Sequence, residues 1–369
     1  MTTRRQFILS VATIPAGLLV LQACSSSNPS DLSYEETARK TWRHSEGGLS
    51  DSSSLLHELV RYATLAPSSH NTQCWKFRVE ERSIALLPDL SRRCPAVDPD
   101  DHHLFVSLGC ASENLIQAAL AKGLHGEARF DASADGIVNV ALESTKAFDS
   151  PLFEAIPKRQ CTRTEFDGKP LSNAELKLLE QAGSGNGVRV LLLNDSRAME
   201  QVLEYVVQGN TTQMQDPAFV EELEAWIRFS GDEAVRTGDG LFTRSTGNPV
   251  ITRWLGSLLF KLFFTPKSEN DKYARHIRSS AGIAVFASEA NDKRHWVEAG
   301  RCYERFALQA AALGIRNAML NQPIEVLALR PQFANHLGIG GQRPDLVVRF
   351  GRGPEMPRSL RRPLQAVLV

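Results

Sequence analysis

The chain has 369 residues, with 42 basic and 42 acidic side chains and a formal net charge of +0. That balance excludes the basic footprint of a nucleic-acid binder. The length exceeds what one hydrophobic core usually holds, so two modules of about 100–200 residues each are expected. Six cysteines at scattered spacings give neither a disulfide framework nor a CxxC metal site, and no metal is expected.

Residues 1–23 read as a secretory signal: Arg4 and Arg5 precede an apolar run broken by Pro15 and Gly17. The run is shorter than the about 20 apolar residues that a membrane span needs. Its removal leaves 40 basic against 42 acidic side chains and, besides Cys24, five cysteines. Thr3-Arg4-Arg5-Gln6-Phe7 resembles the twin-arginine signal, whose translocon exports folded proteins. Leu21-Gln22-Ala23-Cys24 resembles a bacterial lipobox, with Gln22 a poor fit. That implies lipidation of Cys24; the alternative is an ordinary cysteine of the signal region. The protein is then expected outside the cytoplasmic membrane, periplasmic or anchored as a lipoprotein. Residues 24–50 read as a flexible tether.

In chain order, Ser54–Ala66 has apolar residues at helical spacing. The polar run Leu65–Phe77, "LAPSSHNTQCWKF", is either a turn that feeds a strand or a place where a ligand lies against the backbone. Cys74–Asp89 reads as two short strands joined by a charged turn. In "DPDDHH", Asp98–His103, no spaced ligand completes a metal set. Helices are expected from Gly109 and from Gly300, where Gly, Glu, Ala and Gly recur at 109, 113, 119 and 123 and again 191 positions later. The repeat favours a duplicated scaffold, and a fused pair can reproduce the two-fold interface of a symmetric ancestor. Arg159, Cys161 and Arg163, at i, i+2 and i+4, share one side of a strand or helix, and two guanidinium forks can grip one phosphate; by spacing alone, solvated surface charge is the commoner outcome. Asn173–Gln181 reads as a helix capped by Ser172 or Asn173, and Val188–Leu193 as a strand. Residues 197–267 form an expected helical insertion, whose "PVITRWLGSLLFKLFF" suits a packed helix or a lid more than a membrane contact. Apolar strands are expected at Gly282–Ser288 and Asp345–Gly351.

Three segments in order, "APSSHNTQCWKF", "RQCTRTEF" and "PRSLRRPLQAVLV", resemble the flavin-binding motifs of the nitroreductase superfamily, and the chain resembles its double-copy, Acg-type branch. The resemblance runs from about Ser54 to Val369. It implies an α+β fold of two fused nitroreductase-like halves, 51–150 and 151–369, forming a pseudo-dimer within one chain, with the insertion as a helical lid. It also implies one FMN between the halves, because neither half carries both motifs. Ala66, Pro67, Ser68, Asn71, Gln73, Trp75 and Phe77 fit the first motif; Cys74 stands where the family has Pro. By resemblance, Ser68, Ser69, Asn71 and Gln73 reach the flavin and its ribityl chain. Arg159, Cys161 and Arg163 hold the phosphate, with Cys161 in place of the usual Ser. Arg361, with Arg362 or Arg358, adds charge there. Met319 and Asn321, within "NAMLNQP", face the ring near N5, and Arg275 or His276 its N1 and O2 edge. The family implies a reductase that passes electrons from NAD(P)H through FMN to a nitroaromatic, quinone or similar acceptor, without a catalytic acid or base from the protein. Export would call for another donor, a quinol or a redox partner, and the Acg-type branch leaves open a non-catalytic, flavin-storing protein. A monomer is expected.

Overall fold

The computed structural model describes residues 29–45, 51–133 and 135–369. The expected signal and Cys24 lie outside them. Part of the expected tether is ordered: α1 (Pro29–Thr41) buries Tyr34 and Ala38, one helical turn apart, with Phe242 and Leu360. Two apolar positions in a polar stretch are invisible to composition, yet they suffice to dock a helix.

Helix α2 (Ser52–Thr64) starts two residues before the expected position because Asp51 caps it, accepting from Ser54 N at 2.8 Å. Strands β1 (Trp75–Glu80) and β2 (Ser83–Pro88) form the expected hairpin, with Trp75 opposite Pro88. Then come α3 (His102–Ala121), β3 (Leu124–Asp131), β4 (Ile137–Ser144), α4 (Pro151–Ala155) and α5 (Asn173–Ala182). Ser172 is the cap of α5, in a reciprocal box with Glu175. After β5 (Val188–Leu193) the insertion holds α6 (Ser196–Met214), α7 (Pro217–Trp226), β6 (Ile227–Arg228), α8 (Gly231–Thr237), β7 (Leu241–Phe242), α9 (Arg253–Phe263) and α10 (Pro266–Arg278). The chain continues through β8 (Gly282–Ser288), α11 (Lys293–Ala312), β9 (Arg316–Met319), α12 (Gln322–Glu325), α13 (Arg330–His336) and β10 (Arg343–Gly351).

The fold is α+β, with two antiparallel four-stranded sheets of the same strand order, β1-β2-β4-β3 and β5-β8-β10-β9. Helix α3 lies on the first, α11 on the second, and the two helices pack on each other. By length and composition α3 is apolar enough to cross a membrane, but 83% of its apolar window is buried inside the protein, which makes it a core helix.

The α3–α11 contacts come in reciprocal pairs. A Cβ on Gly109 would overlap the carbonyl oxygen of Val297, and one on Gly300 that of Val106; each pair becomes the other by a shift of 191. Arg305 donates to Glu113 at 2.9 Å, and Asn114, with its amide nitrogen turned to the carboxylate, donates to Glu304 at 2.9 Å, related by the same shift. Such reciprocity is the signature of an isologous interface. Two strands of chain also cross between sheets. Phe77 N donates to Val367 O at 2.7 Å on the outer side of β1, and Thr162 N donates to Asn317 O at 2.8 Å beside β9.

Candidate functional site

Where α3 and α11 meet the crossing segments, a cavity of about 280 Å³ opens. Pro67–Asn71, Arg159–Arg163, Met319–Gln322 and Pro357–Arg361 contribute to its lining, as do α6, α7 and α10. Among the residues read from the sequence, Ser68, Ser69, Asn71, Arg159, Cys161, Arg163, Met319, Asn321, Arg358 and Arg361 line it together. Gln73, Arg362, Arg275 and His276 are not among its lining residues. Gln73 Nε2 donates to Gly238 O at 2.8 Å, while its Oε1 accepts from Arg362 N at 2.8 Å, so this pair ties loops together.

The Ser68–Gln73 loop is held in an unusual backbone. His70, Asn71 and Gln73 have φ of 48°, 54° and 54°, left-handed values that non-glycine residues adopt only where the surroundings impose them. Here Ser68 Oγ accepts from Gln73 N at 2.9 Å, and Asn71 Nδ2 donates to Gly240 O at 3.0 Å and Leu360 O at 3.2 Å. The Asn71 amide is thus spent on the protein. Ser69 makes no side-chain hydrogen bond among the described residues, and its hydroxyl remains free for a ligand.

Four arginines line the cavity against two carboxylates, Glu269 and Glu325. They are not equivalent. Arg159 is buried and paired with Glu304 at 3.0 Å, and it donates to Leu65 O at 2.7 Å. Burial pushes Glu304 up to about 7, while Arg159 pulls it down. Arg361 caps the end of α2, donating to Thr64 O at 2.6 Å and to Leu65 O and Ala66 O at 3.0 Å, and it donates to Asn71 Oδ1 at 3.0 Å. Burial, with Arg159 beside it, works against its charge. Arg163 is half-buried and makes no hydrogen bond or ion pair among the described residues. Trp42, which follows α1, lies under three of these cations: its ring centre is 4.7 Å from the Arg361 guanidinium carbon, 5.3 Å from that of Arg358 and 5.9 Å from that of Arg159. Its Nε1 donates to Ser359 O at 2.8 Å, and the Tyr34 hydroxyl donates to Arg358 O.

A second polar group sits around His103. Its Nε2 is 3.3 Å from Asn321 Nδ2, and its Nδ1 lies 3.9 Å from Glu325. Burial, followed by Arg343 and Arg330, holds His103 down to about 3; burial pushes Glu325 up to about 7 although Gln213 donates to it at 2.7 Å. Burial also lowers His70 to about 4, with Arg163 adding to the effect. Asp98, His102 and His103 converge, yet the Asp98 oxygens accept the N–H groups of His103 and Leu104, and His102 Nε2 faces Asp345 at 3.0 Å. His70, Cys94 and Glu222 also converge, with Cys94 in an apolar cluster and Glu222 taken by the N–H groups of Ala96 and Val97.

Trp42, Gln213, Tyr303 and Glu304 escaped the sequence reading, and His103 was weighed there only as a metal ligand. Glu304 had a signal, its place in the repeat, but that marked it as scaffold.

A Mycobacterium tuberculosis protein provisionally named NAD(P)H nitroreductase Rv3131 is 26% identical over 322 residues, covering 84% of this chain and 90% of its own. The chain is similar to nitroreductases over most of its length. A second M. tuberculosis relative, provisionally named NAD(P)H nitroreductase acg, is 22% identical over 327 residues, covering 85% and 95%. Both support the nitroreductase resemblance. No protein-family model matches. Among solved structures, the FMN-dependent nitroreductase NfnB from Mycobacterium smegmatis in complex with NADPH covers 58% of this chain and 96% of its own, at 14% identity and a TM-score of 0.38. A nitroreductase with bound FMN from Desulfitobacterium hafniense covers 57% and 93%, at 15% identity and a TM-score of 0.37. Superpositions this loose carry no residue role across.

Proposed function

We propose that the chain is an FMN-binding oxidoreductase of the nitroreductase type, built as a pseudo-dimer of two fused halves with one FMN between them. The observation that carries this reading is the convergence of four separate segments, 68–71, 159–163, 319–321 and 358–361, on one cavity. The donor set fits the group. Among the described residues Arg163 is a half-buried guanidinium without a protein partner, and the cluster over Trp42 holds more positive charge than Glu304 offsets. An anionic phosphate would relieve both. Arg163 and Arg358 would hold the phosphate, the Ser69 hydroxyl would reach the ribityl chain, and Cys161, Met319 and Asn321 would lie beside the ring. Arg159 and Arg361 position the Ser68–Asn71 loop through Leu65, Ala66 and Asn71. Bound FMN would supply hydride transfer at N5, and the protein contributes orientation and electrostatics. A nicotinamide donor is favoured by the names of the relatives, with a nitroaromatic, quinone or similar acceptor. Export by a twin-arginine signal, lipidation of Cys24 and a monomeric state belong to the same reading; export would substitute a quinol or redox partner as donor.

A second reading, flavin storage, is favoured by Asn210, Gln213, Phe219 and Tyr273 of the insertion, which line the cavity as a lid would. Incubation of the purified chain with FMN, followed by desalting, spectroscopy and anaerobic addition of NADPH, tests both. A retained flavin spectrum that bleaches is expected. A retained spectrum that stays yellow favours storage or another donor, and a colourless protein overturns FMN binding.

A further inference from the structure

The segment expected as a packed helix or lid packs on one side and leaves the other uncovered. In α9 only Gly256 is buried, facing the Phe229 ring so closely that a Cβ there would overlap it. On the opposite side Trp254, Leu258 and Leu262 recur every four residues and are 70%, 49% and 60% exposed; Phe263, in the last turn, is 69% exposed. A soluble protein scatters single apolar residues over its surface but seldom aligns a Trp and two Leu on one face. The run that carries the stripe has charge of one sign, and its Lys261 is uncompensated among the described residues. Residues 240–268 contain Arg244, Arg253, Lys261 and Lys267 and no Asp or Glu. Glu35 and Glu233 of other segments pair with Arg244 and Arg253, Asp271 in the same helix pairs with Lys267, and Lys261, beside the stripe, has no carboxylate partner among the described residues.

We propose that α9 is an interfacial membrane-docking helix that lays its Trp254–Leu258–Leu262 face into the headgroup region of an anionic bilayer. At eleven residues it is too short to span one. A short helix with an aromatic–aliphatic face and cationic flanks has the composition of helices that lie in the plane of the interface, where apolar burial and attraction to anionic lipid add. Its Trp can sit at headgroup level, with the ring in the apolar layer and the N–H in water. Leu241 and Ser245 before α9 and Phe264 after it line the cavity, so docking would hold the insertion side of the cavity against the lipid. The proposal does not depend on what the cavity binds.

The test uses the chain from residue 24 with Cys24→Ser, so that neither the apolar N-terminal run nor a lipid accounts for binding. Sedimentation with phosphatidylglycerol–phosphatidylethanolamine vesicles is expected to carry the protein down, at least tenfold more than with phosphatidylcholine vesicles, and less at high salt. A blue shift in tryptophan emission should accompany binding and vanish in Trp254→Phe. Leu258→Ser with Leu262→Ser should reduce binding at least tenfold while the melting temperature holds, and Lys261→Glu should reduce it only on anionic vesicles. Absence of binding to anionic vesicles at low salt would overturn the proposal. So would equal binding by the double variant, or dimerisation through α9 that the double variant abolishes, which would assign the face to a second copy.

Discussion

The two sides of the α3–α11 crossing share geometry and differ in chemistry. Glu113 and Glu304 occupy equivalent places 191 positions apart, and each faces the neighbouring helix at an equivalent residue. On one side that residue is Arg305, which with Arg301 satisfies Glu113 inside the interface. On the other it is the neutral Asn114, so Glu304 also takes Arg159 from the segment that edges the cavity. The reciprocal packing is thus kept while a single Arg-to-Asn difference leaves one carboxylate to take Arg159, which lines the cavity. The sheets repeat the lesson. β1 and β2 are joined by Glu81 and Arg82, whereas residues 194–281 separate their counterparts β5 and β8, without altering strand order.

The sharpest way to break this comparison is to remove each carboxylate. Glu304→Ala strands a buried arginine and is expected to lower stability by about 3–5 kcal/mol; Glu113→Ala, whose partners are nearer solvent, should cost less, and urea unfolding compares them. Next, Gly109→Ala and Gly300→Ala force a Cβ into a backbone carbonyl of the facing helix. Each should cost about 3 kcal/mol, and matched losses in calorimetry are expected if the reciprocity is energetic as well as geometric. Arg163→Ala tests the cavity rather than the scaffold. It should weaken FMN retention about tenfold or more through a lost charge-assisted contact of about 1.5–3 kcal/mol, and shift stability by no more than about 0.5 kcal/mol, since Arg163 serves no partner among the described residues. Desalting and melting curves separate those effects.

The smallest expected effect concerns pH. Glu325, raised from 4.5 to about 7 chiefly by burial, keeps its proton in the folded chain where the unfolded chain has lost it. Its contribution is full below pH 4.5 and lost as pH rises to 7. His103 acts in the opposite sense: lowered to about 3, it makes stability fall as pH drops from 6.5. Glu325→Gln should therefore gain on the order of 1–3 kcal/mol at pH 8 relative to pH 4.5, read from unfolding at both values.

Much of this was legible beforehand. The hairpin, the capped α5 and the Gly109 and Gly300 helices follow from local patterns, and ten of the residues singled out do meet at one cavity. Pattern could not say which of them aim at a ligand. Gln73 and Arg362 satisfy each other, and Asn71 spends its amide on Gly240 and Leu360, because a strained loop needs ties that look like binding groups in a motif. Nor could it reveal Trp42, whose role arises from three arginines far away in the chain. Helix α9 shows the converse: its apolar character was visible, but apolarity alone does not say which face is buried and which exposed.

Strand β1 finds its outer neighbour in residues 367–369, roughly 290 positions downstream, where Val369 N donates to Phe77 O at 3.0 Å. During synthesis that edge stays open until residues 367–369 have emerged from the ribosome. The first sheet is therefore completed late, open to mispairing in the meantime, and a change at residues 367–369 would disturb a strand made about 290 residues earlier.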